Sequence, residues 1–398
     1  MGKARNIAFI VLIFAALGCV IVSNAAASVF GAEQSERSYL EGRLYQVFPD
    51  ISMQSFMDET LQDETEAYLS DSIPYRNDVV LWNAALQRVS IESANLVAGY
   101  EVYPTFFGSN YLVAPSQGRL YEMPYKQDTW EELCDNALPK YQQVMDDHSD
   151  IRWCFAVIDR STTSEESPAA SLVSDNADIT WFRDKLAQVT DEGQLVDISG
   201  LSFADGDYFT TDHHLTIQGG QKVYRAIADS LGIEPIEFED TYTLFDGPFY
   251  GSMARSGLDT SFSDIVEDVH YEHGDYQVWA DGEEKSIDYL CKGFSEDGYT
   301  PQDRYYNAYA GCFHGDPGLI EIRNEEAPEK TLLIVGDSYS NNMERFFAES
   351  YSCVYVLDLR HYDGTLNDFL DDNKVDDCVF ICASNDIFAD VVAEHLMS

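Results

Sequence analysis

The stretch Thr331 to Asn342, TLLIVGDSYSNN, constrains the fold more than any other part of this sequence. Leu332, Leu333, Ile334 and Val335 form a short uninterrupted apolar run, the pattern of a strand buried on both faces. Gly336-Asp337-Ser338 breaks that strand, and Asn341 to Ser350 carries helical spacing. A serine on a tight turn between a strand and a helix stands clear of the sheet edge. Its hydroxyl faces solvent, and the backbone N–H groups at the helix start are free to stabilise an oxyanion. A plain turn uses the same residues, so Ser338 gains chemical meaning only beside a base.

Histidine supplies the candidate. The chain has only eight in 398 residues, and two stand together in Thr210 to Gly219, TTDHHLTIQG. Serine is a weak nucleophile at neutral pH, and imidazole is its usual base. In Asp212-His213-His214 a carboxylate two residues before an imidazole fixes its tautomer if the segment curls as a turn. The competing reading is a cap on the helix that begins near Thr216, which needs an Asp or Thr but no histidine.

Around these two stretches the pattern is α/β. Ser55 to Leu96 is helical, interrupted at Ile73-Pro74-Tyr75, and forms a lead-in over residues 31–97. Tyr103 to Phe107, Tyr111 to Val113 and Arg119 to Glu122 read as short strands. A helix (Trp130 to Met145), a buried strand (Trp153 to Ile158), a helix (Ala177 to Val189), a short strand (Leu195 to Ile198) and an amphipathic helix (Thr216 to Leu231) follow. After the Gly-Asp-Ser turn come strands at Cys353 to Leu357 and Cys378 to Ala383, with helices at Thr365 to Asp371 and Phe388 to His395. This alternation predicts a three-layer α/β domain over 31–398 with a mostly parallel sheet. Ser338 and Asp358 would both emerge at its carboxyl edge, where such sheets bind ligands. Residues 234–324 break the rhythm, rich in Tyr, Asp and Gly, and read as a loop-rich insertion. Its aromatics, Tyr250, Tyr271, Tyr276, Trp279, Tyr299, Tyr305, Tyr306 and Tyr309, either stack on sugar rings or make a small local core.

Charge and export narrow the function. With 70 acidic against 24 basic residues the net charge is -46, so nucleic acid is not a partner. Lys3 and Arg5 precede an apolar run from Ile7 to Val22 that ends in Asn24-Ala25-Ala26-Ala27. Residues 1–30 are therefore expected to act as a signal peptide or an N-terminal membrane anchor, with the body extracytoplasmic, secreted or membrane-anchored. Cys291 and Cys312, flanking a loop-rich region, are the pair expected to form a disulfide there. Cys353, Cys378 and Cys382 lie in or beside apolar strands and read as buried free thiols.

Taken in order, DHHLT (Asp212 to Thr216), FYGSMARSG (Phe249 to Gly257), GDPGLIEIRN (Gly315 to Asn324) and LLIVGDSYSN (Leu332 to Asn341) resemble the DHHW family of bacterial exported proteins. That family is related to the alginate O-acetylation proteins, whose domain is like that of the SGNH hydrolases. YLSDSIPYRND (Tyr68 to Asp78) and YVLDLRHYD (Tyr355 to Asp363) extend the resemblance over most of the chain. Leu215 stands where the family has its tryptophan. The resemblance implies Ser338 as nucleophile, His214 as base and Asp212 as the acid that orients it. It implies O-acetylation of a cell-surface polysaccharide, with the acetyl group delivered by a membrane-bound acyltransferase partner and no cofactor. Tyr339 or Ser338 N–H groups would hold the oxyanion, with Asn341 or Asn342 as side-chain candidates. Asp316 lies nearby but is acceptor-only when ionised. Arg360 either binds an anionic substrate group or holds its loop by an ion pair.

Three other readings use the same residues. A carbohydrate esterase has the same nucleophile and base, with water taking the acyl group. A metal-dependent hydrolase would gather Asp212, His213, His214, His314 and Asp316 as nitrogen and oxygen ligands. A non-catalytic, membrane-tethered polysaccharide-binding scaffold would keep the fold alone.

Overall fold

The computed structural model describes residues 44–73, 75–105, 110–293 and 307–397, with Val11, Ser38 and Leu40. The expected leader or anchor at 1–30 lies outside these residues except for Val11, as do Phe106, Phe107, Tyr299, Tyr305 and Tyr306. Among the described residues no helix is long and apolar enough to cross a membrane. The chain divides into two units, Met1–Ile91 and Glu92–Ser398.

In the first unit, helix α1 (Met53–Met57) starts at a reciprocal cap. Ser52 Oγ accepts the Ser55 N–H at 2.9 Å, and Ser55 Oγ accepts the Ser52 N–H at 3.1 Å. Helix α2 (Thr60–Asp71) and helix α3 (Arg76–Ala98) follow, with the expected interruption between them. Helix α3 runs on past Ile91.

The second unit begins with an antiparallel sheet of β1 (Tyr103–Pro104), β2 (Tyr111–Ala114) and β3 (Arg119–Glu122). Helix α4 (Gln127–Asp147), strand β4 (Arg152–Ile158), helix α5 (Ile179–Leu186) and helix α6 (Ile217–Leu231) come next. The segment read as an insertion supplies the hairpin β5 (Thr241–Phe249) and β6 (Asp264–Val269), with the short helix α7 (Ser252–Ser256) between them. It also supplies β7 (Gln277–Ala280), β8 (Glu283–Lys285), helix α8 (Ala308–Cys312) and β9 (Leu319–Arg323). Strands β10 (Thr331–Gly336) and β11 (Cys353–Leu357), helix α9 (Leu366–Asp372), strand β12 (Asp377–Ala383) and helix α10 (Asp390–Glu394) complete the unit.

Seven strands form the central sheet in the order β4-β12-β10-β11-β9-β7-β8. The first four are parallel, and the β11/β9, β9/β7 and β7/β8 pairs are antiparallel. The sheet is therefore mixed, not mostly parallel, and residues 234–324 extend it instead of only looping over it. For one of the three antiparallel pairs the reason is local. Asp281-Gly282 joins β7 to β8 with φ of 47° and 78°, a two-residue turn that permits only antiparallel pairing.

Strict alternation along the parallel strands builds the two cores. On β10, Leu332 and Ile334 enter one core with Val223, Tyr224 and Ile227 of α6, while Leu333 and Val335 enter the other. Val379 and Ile381 against Cys378 and Phe380 of β12 divide in the same way. The second core is closed by Leu138, Tyr141 and Val144 of α4 and Phe182 of α5. A three-layer α/β arrangement follows directly.

Two local expectations need correction. The helix expected from Asn341 to Ser350 is only a 3-10 segment, Glu344–Glu349, because residues 338–343 turn to meet the Asp212 loop, as described below. Cys291 and Cys312 are both free thiols, and the Cys291 Sγ–H donates to Asp268 Oδ2 at 3.0 Å. Cys378 and Cys382 are buried thiols as expected, and Cys353 is half-buried.

Candidate active site

Strand β10 lies in the middle of the parallel group, with β12 on one side and β11 on the other, and Ser338 is two residues past its carboxyl end. The preceding aspartate builds the turn. Asp337 Oδ1 accepts the Tyr339 N–H at 2.9 Å, and Oδ2 accepts the Ala383 N–H at 2.8 Å, tying the turn to the end of β12. Burial, with the charge of Asp386, pushes the Asp337 carboxyl up to about 7. One correction follows. The Tyr339 N–H is committed to Asp337 and does not face an oxyanion, whereas among the described residues no group accepts from the Ser338 N–H.

The base loop has little ladder of its own, only an antiparallel bridge between Tyr208 and Leu215. Other elements therefore hold it. Asp264 at the start of β6 accepts four hydrogen bonds, from the N–H groups of Thr210 and Thr211 at 2.8 Å each and from their hydroxyls at 2.7 and 2.5 Å. The start of α7 closes from the other side. Met253 and Ala254 donate to the Thr211 carbonyl, and Gly251 N–H donates to Thr211 Oγ1 at 3.0 Å. Gly251 packs so closely that a Cβ there would lie 2.3 Å from the Asp212 Cβ. The motif FYGSMARSG, which has no role assignable from sequence alone, cradles Asp212.

Within this cradle Ser338, His214 and Asp212 form an unbroken hydrogen-bonded relay. His214 Nε2 lies 2.8 Å from Ser338 Oγ, and His214 Nδ1 lies 2.5 Å from Asp212 Oδ1. Asp212 Oδ2 accepts the Ser252 N–H at 2.6 Å. Burial alone would raise the Asp212 carboxyl. The His214 and His213 imidazoles and the Ser252 N–H outweigh it and hold the group well below the usual carboxylate range. The chemistry this permits is proton transfer from Ser338 Oγ to His214 Nε2, with an ionised Asp212 facing the other nitrogen.

Three further residues stitch the serine turn to the base loop, which lie more than a hundred residues apart in the chain. The Tyr339 hydroxyl donates to the His213 carbonyl at 2.6 Å. Asn342 Nδ2 donates to the Leu215 and Thr216 carbonyls, both at 3.2 Å. Tyr309 stacks on His214 and donates to the Ser338 carbonyl at 3.1 Å. Asn342, one of the two asparagines expected as oxyanion donors, thus has a structural task. Leu215 is buried in the core with α6 rather than standing in the cleft.

Of the other candidates, Asn341 Nδ2 donates to Asp316 Oδ1 at 3.2 Å, and Asp316 is exposed. Arg360 chelates Asp358 through Nε at 2.9 Å and Nη2 at 2.7 Å, with Asp316 and Asp386 each 3.8 Å away. Three carboxylates around one guanidinium make it a loop tie rather than an open anion site. The five metal-ligand candidates do not converge. His314 is buried against Glu344 at 2.6 Å and bonds the Gly315 carbonyl through its other nitrogen. Ligand atoms of Asp212, His213 and His214 do lie within 4.8 Å of one another, but both His214 nitrogens are engaged by Asp212 and Ser338. Sequence reasoning missed Asp264, Gly251 and Ser252, whose partners are 40 to 54 residues away. It cited Tyr309 only for its ring.

No family model matches the sequence, and no curated protein does either. Solved structures do match. A DHHW family protein from Eubacterium siraeum is 18% identical, with a TM-score of 0.55 over 73% of this chain and 96% of its own. Bacillus cereus PatB1, solved with a sulfonyl adduct, is also 18% identical, with a TM-score of 0.53 over 69% of this chain and 95% of its own. The resemblance read from the motifs is thus matched in three dimensions: the chain has the fold of the DHHW family protein and of PatB1.

Proposed function

We propose that this chain is an extracytoplasmic serine-dependent O-acyltransferase that acetylates a cell-surface polysaccharide. The observation that carries the reading is the relay Ser338 Oγ, His214 Nε2, His214 Nδ1, Asp212 Oδ1, continuous at hydrogen-bond distance. In the first step Ser338 Oγ attacks the carbonyl carbon of an acyl donor while His214 Nε2 takes its proton. The donors for the tetrahedral oxyanion are the Ser338 N–H and the second N–H of Asn341 Nδ2, the one not given to Asp316. Collapse expels the leaving group, which takes the proton from His214, and leaves acetyl-Ser338. In the second step His214 removes a proton from a sugar hydroxyl, whose oxygen attacks the ester carbonyl; Ser338 Oγ leaves and takes that proton from His214. Water in place of the sugar makes the same machinery an esterase.

PatB1 has been solved with a sulfonyl adduct, and sulfonyl groups are trapped by activated nucleophiles. That chemistry fits an activated Ser338. The apolar segment after Lys3 and Arg5 supports a body outside the cytoplasm, tethered or secreted. A membrane-bound acyltransferase as the source of acetyl groups is what the family resemblance implies.

The test is p-nitrophenyl acetate turnover by the full chain beside Ser338→Ala and His214→Ala, with intact mass after brief mixing. Wild type should gain one acetyl mass that Ser338→Ala lacks, and His214→Ala should slow acylation by about 10²–10⁴-fold. Equal behaviour of all three, with no adduct, overturns the catalytic reading and leaves the scaffold reading in its place.

A further inference from the structure

Of the two expectations for the aromatic rings of residues 234–324, a sugar platform or a small local core, Tyr309 meets the second, and it also presses against the base. Tyr309, on α8, is 2% exposed. Its ring lies face to face with the His214 imidazole, centroids 3.9 Å apart and planes 5° apart. Its hydroxyl donates to the Ser338 carbonyl at 3.1 Å. One side chain therefore touches both the base and the backbone of the residue that carries the nucleophile.

The two hydrogen bonds of His214 do not fix its plane by themselves. Asp212 Oδ1 and Ser338 Oγ lie at opposite ends of the ring, so rocking about the line between them strains neither bond much. A parallel aromatic face opposes that motion. Tyr309 is in turn backed by Phe313, with centroids 4.9 Å apart, and by Phe209, 6.2 Å apart, within the small core of β5, β6 and α8. Phe209 also donates its N–H to the His214 carbonyl at 3.2 Å.

We propose that Tyr309 is a positioning residue for acyl transfer: its ring sets the plane of His214 between Asp212 and Ser338, and its hydroxyl fixes the Ser338 carbonyl. The proposal rests on the serine-acylation reading above. The ring carries most of the effect, because a misplaced base costs about 10²-fold for each ångström whereas one neutral hydrogen bond contributes up to about 10-fold.

The experiment compares wild type, Tyr309→Phe and Tyr309→Leu in the full chain. It reads kcat and KM for p-nitrophenyl acetate, the rate of adduct formation with phenylmethylsulfonyl fluoride, and the low-field proton resonance of the His214 Nδ1–H. Tyr309→Phe should stay within about 10-fold of wild type. Tyr309→Leu should lose roughly 10²-fold in kcat with KM unchanged, and its low-field resonance should broaden or vanish. A merely structural role would lower the unfolding temperature without splitting kcat from KM and without rescue by phenylalanine. Should Tyr309→Leu fail to fold, Phe313→Leu removes the backing ring without touching His214 and is expected to act in the same direction. Tyr309→Leu reacting within threefold of wild type, or Tyr309→Phe as slow as Tyr309→Leu, overturns the proposal and leaves Ser338 as nucleophile. A wild type that gives no adduct with either reagent removes both readings together.

Discussion

Gly251→Ala is the sharpest probe of how the base loop is held. Gly251 has φ of −69° and ψ of −178°, a conformation open to alanine, so the substitution adds no backbone strain. Its effect is purely steric. The new Cβ would lie 2.3 Å from the Asp212 Cβ, 2.4 Å from the Thr211 carbonyl oxygen and 2.6 Å from the Asp212 Cα. Ordinary contact begins at 3.4 Å, so the two segments must separate by about 1.1 Å. Such a shift breaks the 2.6 Å bond from Ser252 to Asp212 or drags Asp212 from His214. Overpacking of this kind costs roughly 1–3 kcal/mol of stability. Misplacement by about an ångström lowers the acylation rate by about 10²-fold. Loss of the tautomer-fixing carboxylate sets the ceiling, about 10⁴-fold. The assay is acetylation of Ser338 by p-nitrophenyl acetate beside a denaturant melt, with Gly200→Ala as control, since nothing lies within 4 Å of a Cβ there. A Gly251→Ala protein that acylates within threefold of wild type would refute the claim that this cradle sets Asp212.

Asp264→Asn replaces a carboxylate that accepts four hydrogen bonds by an amide whose NH₂ must face some of the same donors. It should lose about 1–3 kcal/mol in a urea melt, together with part of the acylation rate; an unchanged melt would show that the four bonds do not anchor the loop. Asp159 is a pH probe away from the relay, where burial pushes its carboxyl up to about 7 despite bonds from the Thr163 hydroxyl and the Arg160 N–H. A carboxyl whose folded pKa exceeds its unfolded value near 4 binds more protons when folded. Its contribution to stability is therefore greatest in acid and is lost as pH rises to about 7. Between pH 5 and 8 that is on the order of 3 kcal/mol, and Asp159→Asn should flatten the corresponding part of the stability curve; equal slopes in both proteins would refute it.

What was legible in the sequence was local. The apolar run of Leu332 to Val335 fixes a strand buried on both faces, and glycine, aspartate and serine after it leave few conformations but a turn. Scarcity of histidine singled out Asp212-His213-His214, and the relay joins two of those residues to Ser338. Most contacts that hold the relay were not legible, because they join residues far apart in the chain, as Asp264 meets Thr210 54 residues away. Composition misled in two places. Tyr, Asp and Gly over 234–324 suggested loops, although Asp281-Gly282 after the apolar Val278-Trp279-Ala280 is a hairpin signal and produces one. Cysteines flanking a loop suggested a disulfide, yet Cys291 Sγ bonds Asp268.

The two halves of the site are supported in different ways, and this has a mechanical consequence. The Ser338 turn is anchored by the central sheet itself, through Asp337 to the end of β12. The Asp212 loop has a single bridge of its own and takes Asp264 from β6, Ser252 from α7 and Tyr309 from α8. All three come from residues 241–312, the part of the chain least like a repeating α/β unit. Sheet packing alone therefore suffices to present the serine hydroxyl, whereas aiming a base at it requires the inserted core to be folded. Local opening of that core would leave the serine in place and the base loop held from the serine side, through Tyr339 and Asn342, and from β3, through the Leu120 N–H. Changes in the Phe249, Phe313 and Val266 cluster should accordingly alter rate before they alter the stability of the central sheet.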